Sequence, residues 1–234
     1  MCSVIGGFFD RPSKLQLDYV KNIFIESKIR GMHATGISYV KNNKIHTIKK
    51  PIPSDEFFQD IDLKDFLNED GDLYLIGHCR YSTSDLEYNQ PISSEEVSIV
   101  HNGVITQEEP DNWQKIYNII CETKNDSEFI LKTLEENKEP LTAWPDASMA
   151  VCELYRSKKV RFYRNAKRPL SMAVFYNGIV VASTRDIIER AKTGREAAIT
   201  LDCKMNTVYT IDNESFKLEE ELISTNKKDL QYEL

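Results

Sequence analysis

The sequence lacks any run of about 18 apolar residues, the length that a membrane-spanning helix needs. Its first residues, MCSVIGGFFDRP, have no basic stretch ahead of an apolar segment and no cleavage signal for secretion. We therefore expect no membrane span and no secretory leader.

Positive charge is also scarce, because 30 lysines and arginines face 37 aspartates and glutamates, which gives a net charge of −7. Proteins that bind nucleic acid electrostatically present a basic face. The densest basic stretch, residues 156–168, is typical of a solvated hairpin edge instead. We expect no nucleic-acid partner.

Cysteines are few and follow no recognisable spacing. There are five, an odd number, and no C-x-x-C pair occurs, so neither a zinc site nor a disulfide framework is predicted. A reducing, cytoplasmic location is the simplest expectation. The phosphate-binding pattern G-x-x-x-x-G-K-[ST] is absent as well, and we expect no metal and no cofactor.

What the sequence does contain is a mixture of helical and strand patterns. Apolar residues recur at helical spacing in residues 17–29 and more weakly in 57–67 and 113–121. Asn125 and Glu128 resemble a capping box, which predicts a helix starting near Asp126. Strands are predicted over residues 4–9, 36–40, 44–48, 73–78, 97–101, 148–155, 160–163, 171–176, 178–182 and 207–211.

Three pairs of these strands are joined by short turns at residues 41–43, 156–158 and 176–178. Short turns of this kind indicate hairpins, so the sheets should be mainly antiparallel. Helices and strands do not alternate strictly, which favours an α+β fold over a doubly wound one. We expect one domain over residues 1–212 and a charged tail over residues 213–234.

Cys2 follows the initiator methionine, which is removed efficiently before a small residue. Removal would place a thiol and a free α-amine on one residue, with pKa values of about 8.5 and about 7.7–8.0. Near neutral pH the amine can then act as the base for the thiol beside it. An initial Met-Cys alone is weak support, but a strand pattern follows it and would anchor a nucleophile.

Further motifs follow Cys2 along the chain. They are R-G-M-H-A-T-G-I at 30–37, G-H-C-R-Y-S-T at 77–83, N-Q-P at 89–91, V-H-N-G-V-I at 100–105, N-D-S-E at 125–128, and the pair N-A-K-R-P-L at 165–170 with A-S-T-R-D at 182–186. In this order, the set resembles the glutaminase domain of class II glutamine amidotransferases. These proteins are N-terminal-nucleophile (Ntn) hydrolases and include amidophosphoribosyltransferase and glucosamine-6-phosphate synthase.

The resemblance implies an αββα four-layer sandwich of two mainly antiparallel sheets between helices. It also implies that Cys2 attacks the side-chain amide of L-glutamine and forms a thioester. Asn102 and the backbone N–H of Gly103 would bind the oxyanion. The α-carboxylate would bind Arg80, since a guanidinium matches a carboxylate with two parallel hydrogen bonds. Among the remaining candidate substrate contacts, Asp126 would bind the ammonium, and Tyr81 and Thr83 complete the set.

The chain departs from the family pattern at three places. His33 stands where relatives commonly have aspartate, and Ser3 stands where they usually have glycine. The segment 84–88 is short compared with the loop that covers glutamine in relatives. His33 is therefore given no catalytic role, and His101 is expected to support the oxyanion turn. Arg30, Gly31 and Gly36 are expected to shape a turn beside the site.

The expected function is that of a stand-alone glutaminase subunit that releases glutamate and ammonia. The ammonia would pass to a separate synthase subunit, and a homo-oligomer stays open because symmetric assembly is common among enzymes. Two alternatives remain: an Ntn amidohydrolase that acts on another amide, and a non-catalytic subunit that senses glutamine or serves as a scaffold.

Overall fold

The apolar run after Cys2 forms a central strand, β1 (Ser3–Phe9), which is buried along its whole length. The computed structural model describes residues 2–81, 89–194, 196 and 198–224. Val4 and Phe8 point to one face of β1, and Ile5 and Phe9 point to the other. Both faces are therefore covered, which explains why the strand reads as a continuous apolar run.

The first sheet consists of β1 and six other described strands. These are β2 (Ala34–Lys41), β3 (Lys44–Lys50), β4 (Leu73–Arg80), β9 (Ser171–Phe175), β10 (Gly178–Ala182) and β11 (Ile199–Asp202). Their order is β11-β9-β10-β1-β4-β2-β3, and all the pairs are antiparallel.

The second sheet holds the oxyanion motif and contains six strands within the described residues. They are β5 (Ile92–Ser93), β6 (Val97–Val104), β7 (Ser148–Tyr155), β8 (Lys159–Arg164), β12 (Thr207–Asp212) and β13 (Glu219–Leu222). Their order is β13-β12-β8-β7-β6-β5, again antiparallel throughout. All three predicted hairpins are present, as β2/β3, β7/β8 and β9/β10.

Helices cover the outer face of each sheet. The α-helices are α1 (Lys14–Ser27), α2 (Ser54–Phe57), α3 (Trp113–Tyr117), α4 (Glu128–Glu135), α5 (Pro140–Ala143) and α6 (Arg185–Ala191). One apolar cluster joins α1, α2 and α6 to the first sheet, and another joins α3, α4 and α5 to the second. A third cluster fills the space between the sheets. The predicted α+β, four-layer αββα architecture is confirmed.

The structure corrects several predicted elements. Residues 57–67 form the end of α2 and a separate 3-10 turn (Leu63–Phe66) instead of one helix, because buried Phe57, Phe58, Leu63 and Phe66 pack from an irregular segment. Helix α4 starts at Glu128 without the predicted capping box, since the Asn125 side chain accepts from the Ser127 N–H.

Sequence patterns missed α5, α6, β5, β11 and a 3-10 turn at Pro110–Asn112. Strand β13 lies in the segment predicted to be a charged tail, and it pairs with β12.

Candidate active site

A cleft of about 870 Å³ gathers the described residues that the sequence singled out for chemistry. Its wall includes Cys2, Arg80, Tyr81, Asn102, Gly103 and Asp126. The cleft lies where β1 begins and where β4 and β6 end, so strands from both sheets contribute to it. Thr83 and the segment 84–88 lie outside the described residues.

Cys2 is held at the entry to the central strand. The Arg30 Nε group donates to the Cys2 carbonyl at 3.1 Å, and the Val4 N–H donates to the Ser183 hydroxyl at 2.9 Å. The Cys2 Sγ atom lies 3.9 Å from the Tyr81 carbonyl oxygen, within the hydrogen-bonding range of a thiol. The backbone that follows the thiol is therefore anchored by side chains from distant parts of the chain.

The two departures at Ser3 and His33 have clear places in the structure. Ser3 is buried, and its hydroxyl donates to the Ser27 hydroxyl at 3.1 Å, so a polar side chain is satisfied there. The His33 N–H donates to the Arg80 carbonyl at 2.9 Å, and the His33 ring packs on Tyr81 with centroids 4.8 Å apart. His33 thus supports the segment that carries Arg80 and Tyr81.

Asn102 and Gly103 sit near the end of β6, opposite Ala150 and Met149 of β7. Asn102 is buried, and its Nδ2 group makes no hydrogen bond within the described part of the chain. A side chain at position 103 would collide with the Ser148 carbonyl oxygen, so this position requires glycine. The pair offers the Asn102 amide donor next to a backbone that carries no side chain at Gly103, as an oxyanion site needs.

A buried network holds this strand end in place. The Gln90 Oε1 atom accepts from the His101 N–H at 2.6 Å, and the Gln90 Nε2 group donates to the His101 carbonyl at 3.1 Å. The Gln90 Nε2 group also donates to the Ser127 hydroxyl at 3.1 Å, and that hydroxyl lies 2.8 Å from His101 Nδ1. Position 36 is next to this segment, and a Cβ there would collide with the Gln90 carbonyl oxygen.

The network also defines the protonation of His101. Its Nε2 atom lies 3.1 Å from the Ser148 carbonyl, which only accepts, so Nε2 carries the proton and Nδ1 accepts from Ser127. Burial lowers the pKa of His101, which keeps the ring neutral. With both ring nitrogens engaged by the protein, His101 supports the oxyanion turn.

Arg80 and Asp126 offer opposite charges in the same cleft. Arg80 ends β4, and Asp126 precedes α4. The Asp126 Oδ2 atom accepts from the backbone N–H groups of Ile105 at 2.6 Å and Thr106 at 3.3 Å, which fixes the carboxylate just beyond the oxyanion strand. The cleft wall therefore presents a guanidinium and a carboxylate, the two kinds of charge that a zwitterionic amino-acid head group pairs with.

Sequence reasoning assigned no role to several residues that shape this site. Gln90 and Ser127 lie in motifs that were recognised, but only the three-dimensional structure joins them to His101. Gly31 and Gly36 were predicted to shape a turn; Gly36 instead lies within β2, and neither has a positive φ. Close approach of another backbone requires glycine at both positions.

His78 is a further residue of the cleft wall, and sequence reasoning assigned it no role. It is only 1% exposed, and neither ring nitrogen makes a hydrogen bond to any described residue. Burial, with the nearby Arg80 charge, lowers the pKa of His78 to about 3, so the ring is neutral at physiological pH.

No group of three or more His, Cys, Asp or Glu side chains is arranged to hold a metal ion within the ranges that the structure describes. Within the same ranges, every helix is too short or too polar to cross a bilayer.

Comparison with known proteins places this fold among glutamine amidotransferases of known structure. Glutamine phosphoribosylpyrophosphate amidotransferase from B. subtilis superposes with a TM-score of 0.71 and 19% identity over 96% of this chain. A structure described as the allosteric regulatory enzyme of purine biosynthesis gives 0.70 and 20%, also over 96%. This chain spans 50% of the length of each of those two proteins.

A glutamine aminotransferase class-II domain protein from Silicibacter pomeroyi matches at a TM-score of 0.56 and 11% identity, over 95% of this chain and 99% of that one. No protein-family model matches the sequence, and no curated protein sequence does. The structures confirm, at the level of the fold, the resemblance seen in the sequence.

The fold is that of the Ntn hydrolases: two antiparallel sheets packed between helices. Cys2 directly precedes β1, a central strand of the first sheet.

Proposed function

We propose that this chain hydrolyses the side-chain amide of L-glutamine to glutamate and ammonia, with Cys2 as the nucleophile. One observation carries the proposal. A thiol, two candidate oxyanion donors, an arginine and an aspartate come from positions 2, 80, 102, 103 and 126, and all line one cleft. The same substrate is supported by the likeness to glutamine phosphoribosylpyrophosphate amidotransferase and to the glutamine aminotransferase class-II domain protein.

The proposed reaction starts once Met1 is removed and the α-amine of Cys2 is free. The amine takes the thiol proton while Sγ attacks the amide carbon, and the negative charge on the oxygen is bound by Asn102 and the Gly103 N–H. The C–N bond then breaks, and the same proton leaves with the nitrogen as ammonia. Water adds to the thioester and releases glutamate, which restores the thiol.

Substrate recognition uses two oppositely charged side chains in the cleft wall. The α-carboxylate of glutamine pairs with Arg80, and the α-ammonium pairs with Asp126, with Tyr81 and Thr83 as further candidate contacts. Binding both charges selects a free amino acid, which favours glutamine over other amides.

We further propose that the ammonia passes to a synthase, as a separate subunit. The support is that the matched region is half of two proteins, one of them described as an amidotransferase. Co-purification and measurement of an aminated product with and without the partner test this step. Full glutaminase activity with no captured synthase would contradict it.

The central experiment is intact-mass spectrometry before and after treatment with a glutamine-mimicking electrophile. We expect loss of Met1 and one adduct, which free glutamine prevents and Cys2→Ala abolishes. Cys121→Ala is the matched control, because Cys121 is the other partly exposed cysteine of the described chain. It should label like the wild type.

Other results would point to the alternatives. A processed chain that ignores glutamine but releases ammonia from another amide indicates an amidohydrolase of different specificity. Glutamine binding without turnover, unchanged in Cys2→Ala, indicates a sensing or scaffolding role. Retention of Met1 leaves the α-amine blocked and contradicts the proposed mechanism.

A further inference from the structure

Arg168 is a cation in the cleft that the head group of glutamine does not use. The zwitterion accounts for Arg80 and Asp126, which leaves Arg168 in the same wall. The remaining charged side chains there, Glu108, Glu109 and Lys124, are exposed to solvent, whereas Arg168 is partly buried. Arginine stays charged under all ordinary conditions, so the site holds one more positive charge than its substrate needs.

The backbone places Arg168 between the two halves of the site. Residues 165–170 cross from β8 in the second sheet to β9 in the first. At one end, the Asn165 N–H donates to the Met149 carbonyl at 3.0 Å, and the Met149 N–H donates to the Asn165 Oδ1 atom at 3.2 Å. Met149 in turn lies opposite Gly103. At the other end, Ser171 pairs with Ala182 of β10, next to β1 and Cys2.

Residues 165–170 are held in place at their C-terminal end. Leu170 is buried, and its carbonyl accepts from the Cys203 N–H at 3.0 Å. The Arg164 Nε group donates to the Cys203 carbonyl at 2.7 Å, which ties the last residue of β8 to the same point. Arg168 therefore projects from a fixed segment.

The charge of Arg168 is not neutralised by the described residues. None of their carboxylates forms an ion pair with it, and its Nε group is buried without a hydrogen bond. The Nη1 group donates only to the neighbouring Lys167 carbonyl, at 3.4 Å. Burial lowers the pKa values of Arg30 and His101, and the positive charge of Arg168 adds a smaller effect in the same direction at both, so its field extends to the Cys2 end and to the oxyanion end of the cleft.

We propose that Arg168 is a catalytic residue whose guanidinium binds the negative charge that appears at the reacting carbon. The amide of glutamine is neutral, so Arg168 gains little from the bound substrate. The tetrahedral intermediate carries an oxyanion, and the product glutamate carries a γ-carboxylate. An interaction made only with these charged states raises kcat and leaves KM for glutamine unchanged. The inference rests on the proposed glutaminase activity.

The test compares Arg168→Gln with Arg168→Lys and with Lys167→Gln, the loss of a neighbouring exposed charge. For each protein, ammonia release gives kcat and KM for glutamine, and added glutamate gives the inhibition constant. In Arg168→Gln we expect kcat to fall by about 10-fold or more, with an equal or larger rise in the glutamate inhibition constant and an unchanged KM. Arg168→Lys should recover part of both effects, and Lys167→Gln should match the wild type.

Two results would overturn the inference. One is an unchanged kcat and unchanged glutamate inhibition in Arg168→Gln. Another is a rise in KM alone, which would mean that Arg168 binds the substrate in its ground state. Arg168→Met keeps the aliphatic stem and gives the same comparison if the glutamine variant does not fold. A wild-type protein that does not hydrolyse glutamine refutes the proposed function itself, whereas an active wild type with a normal Arg168→Gln refutes only this role.

Discussion

Asn102 is a buried amide whose Nδ2 group has no hydrogen-bond partner among the described residues. Leaving such a donor unpaired is unfavourable, and an oxyanion arriving in the cleft would complete its bonding. We predict that Asn102→Ala lowers kcat for ammonia release by about 10²–10³ while KM changes little.

Asn102→Asp is the sharper variant, because it keeps the size of the side chain but replaces the donor with a negative charge. It should be less active than Asn102→Ala, although the alanine variant loses more contacts. An aspartate variant with higher activity than the alanine variant would contradict a donor role for Asn102.

Asp126 allows the recognition of the ammonium group to be tested separately. Asp126→Asn keeps an oxygen that can accept from the Ile105 and Thr106 amides, and removes the charge. We predict a rise in KM for glutamine of about 10-fold or more, since a hydrogen bond to a charged group is lost.

The control for Asp126 is a substrate analogue without the α-amine. Its KM should be the same in the wild type and in Asp126→Asn. An equal loss for glutamine and for the analogue would show that the variant has disturbed the cleft rather than removed an ammonium contact.

His78 links the site to the pH dependence of stability. Its pKa is about 3 in the folded chain and about 6.5 when unfolded, so between these values only the unfolded chain binds a proton there. The free energy of unfolding must therefore fall as the pH is lowered, by about 1.4 kcal/mol per pH unit for this residue. His101, whose pKa is also lowered by burial, acts in the same direction.

We predict that the free energy of unfolding of His78→Asn decreases less steeply between pH 6 and pH 5 than that of the wild type. Urea denaturation at the two pH values measures the difference. Parallel pH dependences in the two proteins would mean that His78 takes up a proton in the folded state.

At the scale of secondary-structure elements, the Gln90 side chain continues the hydrogen bonding along β6 beyond the end of the short strand β5. β5 pairs with β6 at Ile99 and Ser98, and the Gln90 amide then bonds both backbone groups of His101. The end of β6 that carries Asn102 is thereby held from both edges, by β7 on one side and Gln90 on the other.

We predict that Gln90→Met, which keeps the length of the side chain, destabilises the fold by about 1–3 kcal/mol for each His101 backbone group left unpaired. The kcat for ammonia release should fall with it, because the oxyanion strand is less firmly held. Denaturant midpoints and glutaminase rates measure the two effects. Gln59→Met, at an exposed position, is the control, and a Gln90→Met protein of normal stability would refute the bracing role.

At the scale of the whole molecule, the two sheets share one apolar interior. Val4 and Phe8 of the first sheet pack in the same cluster as Val100 and Phe162 of the second. The Phe162 ring also stacks on Tyr209, with centroids 5.1 Å apart. Neither sheet can bury its inner face without the other, so we expect cooperative unfolding of both.

We predict that Phe162→Ala lowers the free energy of unfolding by about 3–5 kcal/mol. The transitions seen by circular dichroism, which reports on both sheets, and by fluorescence of Trp113 and Trp144 beside the second sheet should still coincide. Phe216→Ala, at a ring that is 47% exposed, should cost less. Two separate transitions would show that the sheets fold independently.

Local patterns predicted the regular parts of this molecule well. Fully buried β1 reads as an apolar run, and the Asn42-Asn43 and Asn177-Gly178 turns mark two hairpins, because these features depend on neighbouring residues. Strands β11 and β13 are short edge strands with exposed, irregular patterns, and they form only because β9 and β12 offer an open edge.

The sequence by itself determined the chemical inventory: an early cysteine, an Asn-Gly pair, an arginine motif and an aspartate at a helix start, in an order that resembles one family. Residue types and their order are properties of the chain, so they are readable without a structure. The tertiary structure decided which of these groups meet. It joined Gln90 and Ser127 to His101, left Asn102 with an unpaired donor, and turned Arg168 into the same cleft. These relations depend on the pairing of strands far apart in sequence, which no local pattern encodes.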